Sequence, residues 1–187
     1  NILVYLSFGN HDYYDEARYW FEFPDNVFLF TDEQVTSFSG ESLQGEDYRV
    51  SGFSYVTPHL TKSLVSAFPQ RQATYEIGMY HGELGQGNYA PFSVGEMKNL
   101  GYDYWALGHI HVPSFLNEKP PICYPGTPQG HNRKETQAGT VHLVSLTAED
   151  CQITPINVAK VIWQKEALAV ENGSQKQLMV QIQNLLE

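Results

Sequence analysis

Tyr102-Asp103-Tyr104-Trp105-Ala106-Leu107-Gly108-His109-Ile110-His111 reads as a strand that runs into a Gly-His-x-His turn. Aromatic and apolar residues fill Tyr104 to Leu107, as a buried extended segment requires, and Gly108 marks its mouth. Two other segments follow the same pattern. Val4-Tyr5-Leu6-Ser7-Phe8 leads into Gly9-Asn10-His11-Asp12, and Tyr75-Glu76-Ile77-Gly78-Met79-Tyr80 leads into His81-Gly82. All three polar motifs are therefore expected at the C-terminal ends of strands, where open α/β sheets gather their ligands. Asn10, His81, His109 and His111 should then converge on one pocket, although they are separated by up to about a hundred residues.

Working outward, β-rich runs bounded by turn signals predict strands near 1–8, 26–30, 48–56, 74–80, 103–108, 121–124, 139–146, 151–158 and 160–169. Helices are expected over 13–20, 61–68 and 93–100, the last opening after Pro91-Phe92-Ser93 and stopping at Gly101. The fold class is α/β (α+β): a mixed sheet packed on a second sheet, with helices outside. Pro120-Pro121 and Pro125 should shape a hairpin. Near the C-terminus, Lys160 to Val170 reads as a strand, Glu171-Asn172-Gly173 as a turn, and Ser174 to Gln177 as a capping box. Leu178, Ile182, Leu185 and Leu186 then share one helical face. The expected division is one domain over 1–158 and the opening of a smaller one over 159–187.

The chain has 187 residues, enough for one sizeable core, and a formal net charge of −10. That charge argues against a broad basic face that would grip nucleic acid by counterion release. Bound divalent cations could supply positive charge locally. No run approaches the roughly 18 consecutive apolar residues of a membrane span. Cys123 and Cys151 make neither a disulfide framework nor a metal knuckle, which points to a reducing compartment, the cytoplasm.

The motifs suggest phosphate chemistry. Asn10 offers a neutral carbonyl oxygen to a metal, and His11 can protonate a leaving oxygen. The two imidazoles of the Gly-His-x-His turn can address neighbouring ions, with Ile110 between them pointing into the core. Each motif by itself has a plainer alternative: a polar turn at Gly9 to Asp12, a structural histidine pair at His109 and His111, a satisfied polar residue at His81. Glu83 reads as a solvated acid on a Gly-rich loop, and His59, His131 and His142 as surface or strand-face residues. Tyr13, Tyr14, Tyr19, Trp20, Phe21 and Phe23 form an aromatic cluster that serves packing rather than base stacking.

Taken jointly, the three motifs resemble the later metal-binding blocks of the calcineurin-like metallophosphoesterases, in the same order. Tyr89-Ala90-Pro91, the run from Tyr102 to His111, and Tyr124-Pro125-Gly126-Thr127-Pro128-Gln129-Gly130 with Glu135 downstream resemble the DNA-repair exonuclease branch, the YhaO-like proteins related to the SbcD nuclease subunit. The resemblance implies a four-layer αββα sandwich with the start of a small capping domain. It implies two divalent metal ions, manganese in that family, with Asn10, His81 and His109 on one and His111 on the other. His11 would be the catalytic histidine beside the leaving 3′-oxygen, and Asp12 would orient the loop. DNA would be the substrate, and an SbcC-like or YhaN-like ATPase a partner.

Two departures accompany the resemblance. The family's first blocks, Asp-x-His and Gly-Asp, are expected upstream of Asn1, and His131-Asn132 stands where the family tends to have Arg-His. With half the ligands, all neutral, the chain alone is expected to be inactive and, with bare apolar surfaces at both ends, to self-associate. The alternative functions are a phosphodiesterase or phosphatase acting on a small phosphoester, and a non-catalytic scaffold that binds a repair ATPase.

Overall fold

The structure is a computed structural model that describes residues 2–19, 21–137, 139–169 and 174–186. Its strands are β1 (Val4–Leu6), β2 (Val27–Leu29), β3 (Thr36–Glu41), β4 (Asp47–Gly52), β5 (Tyr75–His81), β6 (Tyr104–Gly108), β7 (Ser114–Glu118), β8 (Pro121–Tyr124), β9 (Thr140–Leu146) and β10 (Cys151–Asn157). The helices are α1 (Val94–Lys98) and α2 (Gln175–Leu186), and a single 3-10 turn spans Val65–Ala67. The architecture is mixed α and β, mostly sheet with few helices.

A six-stranded sheet in the order β3-β4-β5-β6-β8-β7 forms the centre. Its four inner strands, β4, β5, β6 and β8, run parallel, and the edge strands β3 and β7 run antiparallel to their neighbours. Of the inner strands, β5, β6 and β8 carry apolar or aromatic side chains on both faces, as parallel strands in a core do, whereas β4 puts Asp47, Arg49 and Ser51 on one face. Phe53, Phe68, Tyr80, Phe92, Met97, Tyr102, Trp105 and Ile122 pack as one core. The parallel pair β1–β2 and the antiparallel pair β9–β10 lie outside this sheet's hydrogen bonding.

A buried ion pair holds the sheet's register. Arg49 and Glu76 are direct partners across β4 and β5, with Arg49 Nη2 2.7 Å from Glu76 Oε1 and Nε donating to Oε2 at 2.9 Å. The remaining acceptor capacity of Glu76 takes the backbone N–H groups of Gln72 and Ala73 at 2.8 and 2.9 Å. Arg49 also donates to Gln72 Oε1 and to the Gln70 carbonyl, so both charges are hydrogen-bonded where water is excluded.

Several local expectations hold. The helix expected over 93–100 forms as the shorter α1, which a Ser93–Glu96 capping box opens, and Gly101 takes φ = +74° beyond its end. Ser174 and Gln177 bond reciprocally at the start of α2, at 2.8 and 3.4 Å. The turn expected at Glu171-Asn172-Gly173 lies outside the described residues.

Others do not. Residues 13–19 make a turn around Asp15 rather than a helix, because Tyr14 N donates to the Tyr55 carbonyl and the rings of Tyr14 and Tyr19 fold onto Phe8. The aromatic cluster does pack, as Tyr14–Tyr19, Tyr19–Phe21 and Phe21–Phe23 contacts, while Trp20 lies outside the described residues. The helix expected over 61–68 shortens to the 3-10 turn. No strand forms over the described part of 160–169. There the Gln129 side chain substitutes for a ladder, its Oε1 accepting from Lys160 N and Val161 N and its Nε2 donating to Val161 O. Two strands escape the sequence reading: β3 because Ser, Thr and Gly dilute its alternation, and β7 because an irregularity between Phe115 and Asn117 breaks its period.

Candidate metal centre

Three segments deliver the site. β5 and β6 lie side by side with His81 opposite Gly108, so His81 and His109 occupy neighbouring strand ends. The segment after β1 is fastened to the chain beyond β4: Ser7 Oγ donates to the Phe53 carbonyl, Phe8 N to Ser54 Oγ, and Tyr55 N to the Phe8 carbonyl. That fastening carries Asn10 over β5, where it is buried.

Asn10 Oδ1 meets both rings, standing 2.9 Å from His81 Nε2 and 3.3 Å from His109 Nδ1. The ring centroids of His81 and His109 are 5.4 Å apart. Tyr55 packs edge-on against His81, and Tyr89 lies over His109 at 4.8 Å. His109 takes φ = +106°, a backbone conformation that costs a non-glycine residue on the order of 1–3 kcal/mol. It turns the chain out of the β6 alternation, which leaves Ile110 38% exposed instead of in the core.

Glycine on either side of His81 has a steric cause. A Cβ at Gly9 would lie 2.4 Å from His81 Cε1, and one at Gly108 would lie 2.9 Å from His81 Nδ1. The ring occupies a slot that exists only because both neighbours lack side chains. Burial pushes the His81 imidazolium down to about 3, helped by the nearby His109, His11 and His111. His109 moves the same way, chiefly by burial, while Glu83 opposes the shift.

The remaining predicted residues stand around this triad. His11 is exposed, and its charge bears on both His81 and His109. Asp12 is exposed too, its carbonyl accepting from the Tyr19 hydroxyl at 3.3 Å. His111 does not join the Asn10 hydrogen bonds; its Nδ1 lies 3.0 Å from Glu135 Oε1 and its ring 5.5 Å from His131. Glu135 also accepts from His131 N and Asn132 Nδ2; the His131 backbone bond first, and then the His111 side chain, hold its carboxyl below the usual range. Glu83 corrects the expectation of a solvated loop acid. Its carboxylate accepts from Tyr89 N at 3.1 Å and its backbone bonds to Tyr89 and Phe92, so it knots the Gly-rich loop beside His109. His142 rests on Phe115 and Cys123, and the exposed His59 on Tyr89. Glu83 follows His81 by two residues and Glu135 belongs to the run that carries the family resemblance, but which histidine each carboxylate approaches is set only by the folded loops.

No family model matches the chain. A curated relative from Bacillus subtilis (strain 168), described as the uncharacterized metallophosphoesterase YhaO, is 33% identical over 190 aligned residues that take in 97% of this chain. This similarity supports the metallophosphoesterase family. The chain spans about half, 46%, of that relative's length.

Such proteins work with divalent ions, and the donor set can be tested against one. Ligands at right angles around an ion with bonds of about 2.1 Å lie about 3.0 Å apart. The separations from Asn10 Oδ1 to His81 Nε2 and His109 Nδ1, 2.9 and 3.3 Å, suit that spacing. The imidazole of His81 stays neutral far below neutral pH, as a ligand must. Among the described residues no group of three or more His, Cys, Asp or Glu side chains is arranged to hold a metal. The fit thus rests on the amide oxygen of Asn10, which stands at ligand spacing from a nitrogen of each imidazole. Among the described residues no helix is long and apolar enough to cross a membrane.

Proposed function

We propose that this chain belongs to the catalytic domain of a metal-dependent phosphodiesterase that acts on DNA as an exonuclease. Asn10, His81 and His109 hold one divalent ion, His111 serves a second, and manganese is the metal. What carries this reading is the meeting of Asn10 Oδ1, His81 Nε2 and His109 Nδ1 from three distant segments. When bound, the ions polarise the phosphoester and lower the cost of charge on its oxygens.

The side chains do the rest. His11, exposed at the rim, donates a proton to the leaving oxygen, and Asp12 steadies its loop. Glu83 and Tyr89 fix the wall against which His109 rests. The fold is the four-layer sandwich of the family, residues 159–187 belong to a capping domain, and an ATPase of the SbcC or YhaN kind is the partner.

Titrating manganese into the chain labelled with 15N-histidine tests the site. Paramagnetic broadening should reach the His81 and His109 ring signals first, and Asn10→Ala should weaken it. In the full-length protein, His11→Ala should remove most hydrolysis of duplex DNA while leaving manganese content nearly unchanged. Broadening that spares both rings, or turnover that survives His11→Ala, refutes the proposal.

A further inference from the structure

We infer that Glu135 is a positioning residue that holds His111 in the tautomer protonated on Nδ1, so that Nε2 is the nitrogen offered to a divalent cation. The inference rests on the reading of His111 as a ligand and assigns which of its atoms serves.

The geometry is built around one carboxylate. Glu135 Oε1 lies 3.0 Å from His111 Nδ1 and takes Asn132 Nδ2 at 2.9 Å, while Oε2 takes the His131 N–H at 2.7 Å. Glu135 N in turn donates to the Asn132 carbonyl at 3.0 Å, closing the turn around its own side chain. An ionised carboxylate only accepts, so the proton in the contact with His111 must sit on Nδ1. The backbone of His111 is held as well, its carbonyl accepting from Thr127 N at 3.2 Å. With both ends tied, the ring has one orientation and one tautomer.

This outcome is not the default for the side chain. A free neutral imidazole favours the proton on Nε2, which would present no lone pair there. A carboxylate behind a histidine ligand corrects this, and removing such outer partners typically costs roughly 10- to 100-fold in metal affinity. The same carboxylate ties His131 and Asn132 to the site, which gives those two residues a structural use without contact to any ion.

The test reads the tautomer directly by long-range 1H–15N correlation spectra of the metal-free chain at pH about 8.5, where histidines are neutral. In the wild type, His111 Nδ1 should show the shift of a protonated nitrogen and Nε2 that of a bare one. Glu135→Ala should exchange the two shifts, with the His81 and His109 signals retained as proof of folding. Asn132→Ala, which removes a different donor to the same carboxylate, should leave the wild-type pattern. The inference is overturned if wild-type His111 carries its proton on Nε2, a result that needs no variant, or if Glu135→Ala leaves the pattern unchanged. Because no metal is present, this result stands apart from the manganese titration, whose failure would instead remove the ligand role of the ring.

Discussion

Acid should unfold this protein through His81. In the native chain burial pushes the ring down to about 3, whereas in the unfolded chain it titrates near 6.5. The unfolded state therefore takes up a proton that the folded state refuses, and stability falls as pH drops through that window. Above about 7 the ring is neutral in both states and contributes nothing to the dependence. By linkage the cost reaches roughly 2 kcal/mol at pH 5 and continues to grow toward pH 3. His109, shifted the same way, adds to it. Urea denaturation in the presence of a chelator, at pH 7 and pH 5, gives the two stabilities. His81→Gln keeps a polar group of similar reach toward Asn10 but cannot titrate, so it should abolish about 2 kcal/mol of the difference between the two pH values. If the variant loses as much stability between pH 7 and pH 5 as the wild type does, desolvation of the His81 ring does not set the acid sensitivity.

Two further substitutions probe the frame around the site. Gly9→Ala puts a methyl group 2.4 Å from His81 Cε1 and should cost about 1–3 kcal/mol by urea denaturation while weakening manganese broadening of the His81 ring. Arg49→Met leaves Glu76 charged and unpaired in the core and should cost roughly 3–5 kcal/mol, whereas the double substitution with Glu76→Leu should recover much of that loss.

Much of the scaffold was legible because it is local. Runs such as Tyr104 to Leu107 and Tyr75 to Tyr80 carry their β preference in each residue, and Ser93 with Glu96 or Ser174 with Gln177 satisfy helix ends within four residues. The placement of His81 and His109 at neighbouring strand mouths followed from the same local reading, whereas Asn10 stands four residues beyond β1, whose pair lies outside the central sheet, and reaches the histidines through the hydrogen bonds that fasten Ser7 and Phe8 to residues 53–55. Where local preference competed with distant partners, the partners won. The segment after Asp12 turned to pack its rings on Phe8, and the segment after Lys160 gave up pairing for the amide of Gln129. Tertiary structure alone decided the slot that Gly9 and Gly108 make for His81, the suppression of its charge by burial, and the carboxylates of Glu83 and Glu135 behind the histidines. These depend on distances between segments up to about a hundred residues apart, and side-chain chemistry listed along a chain holds no such distances. The amino-acid order thus determined which groups could do the chemistry, and folding determined which atoms of those groups face one another, because burial and hydrogen-bond partners exist only once the sheet has assembled.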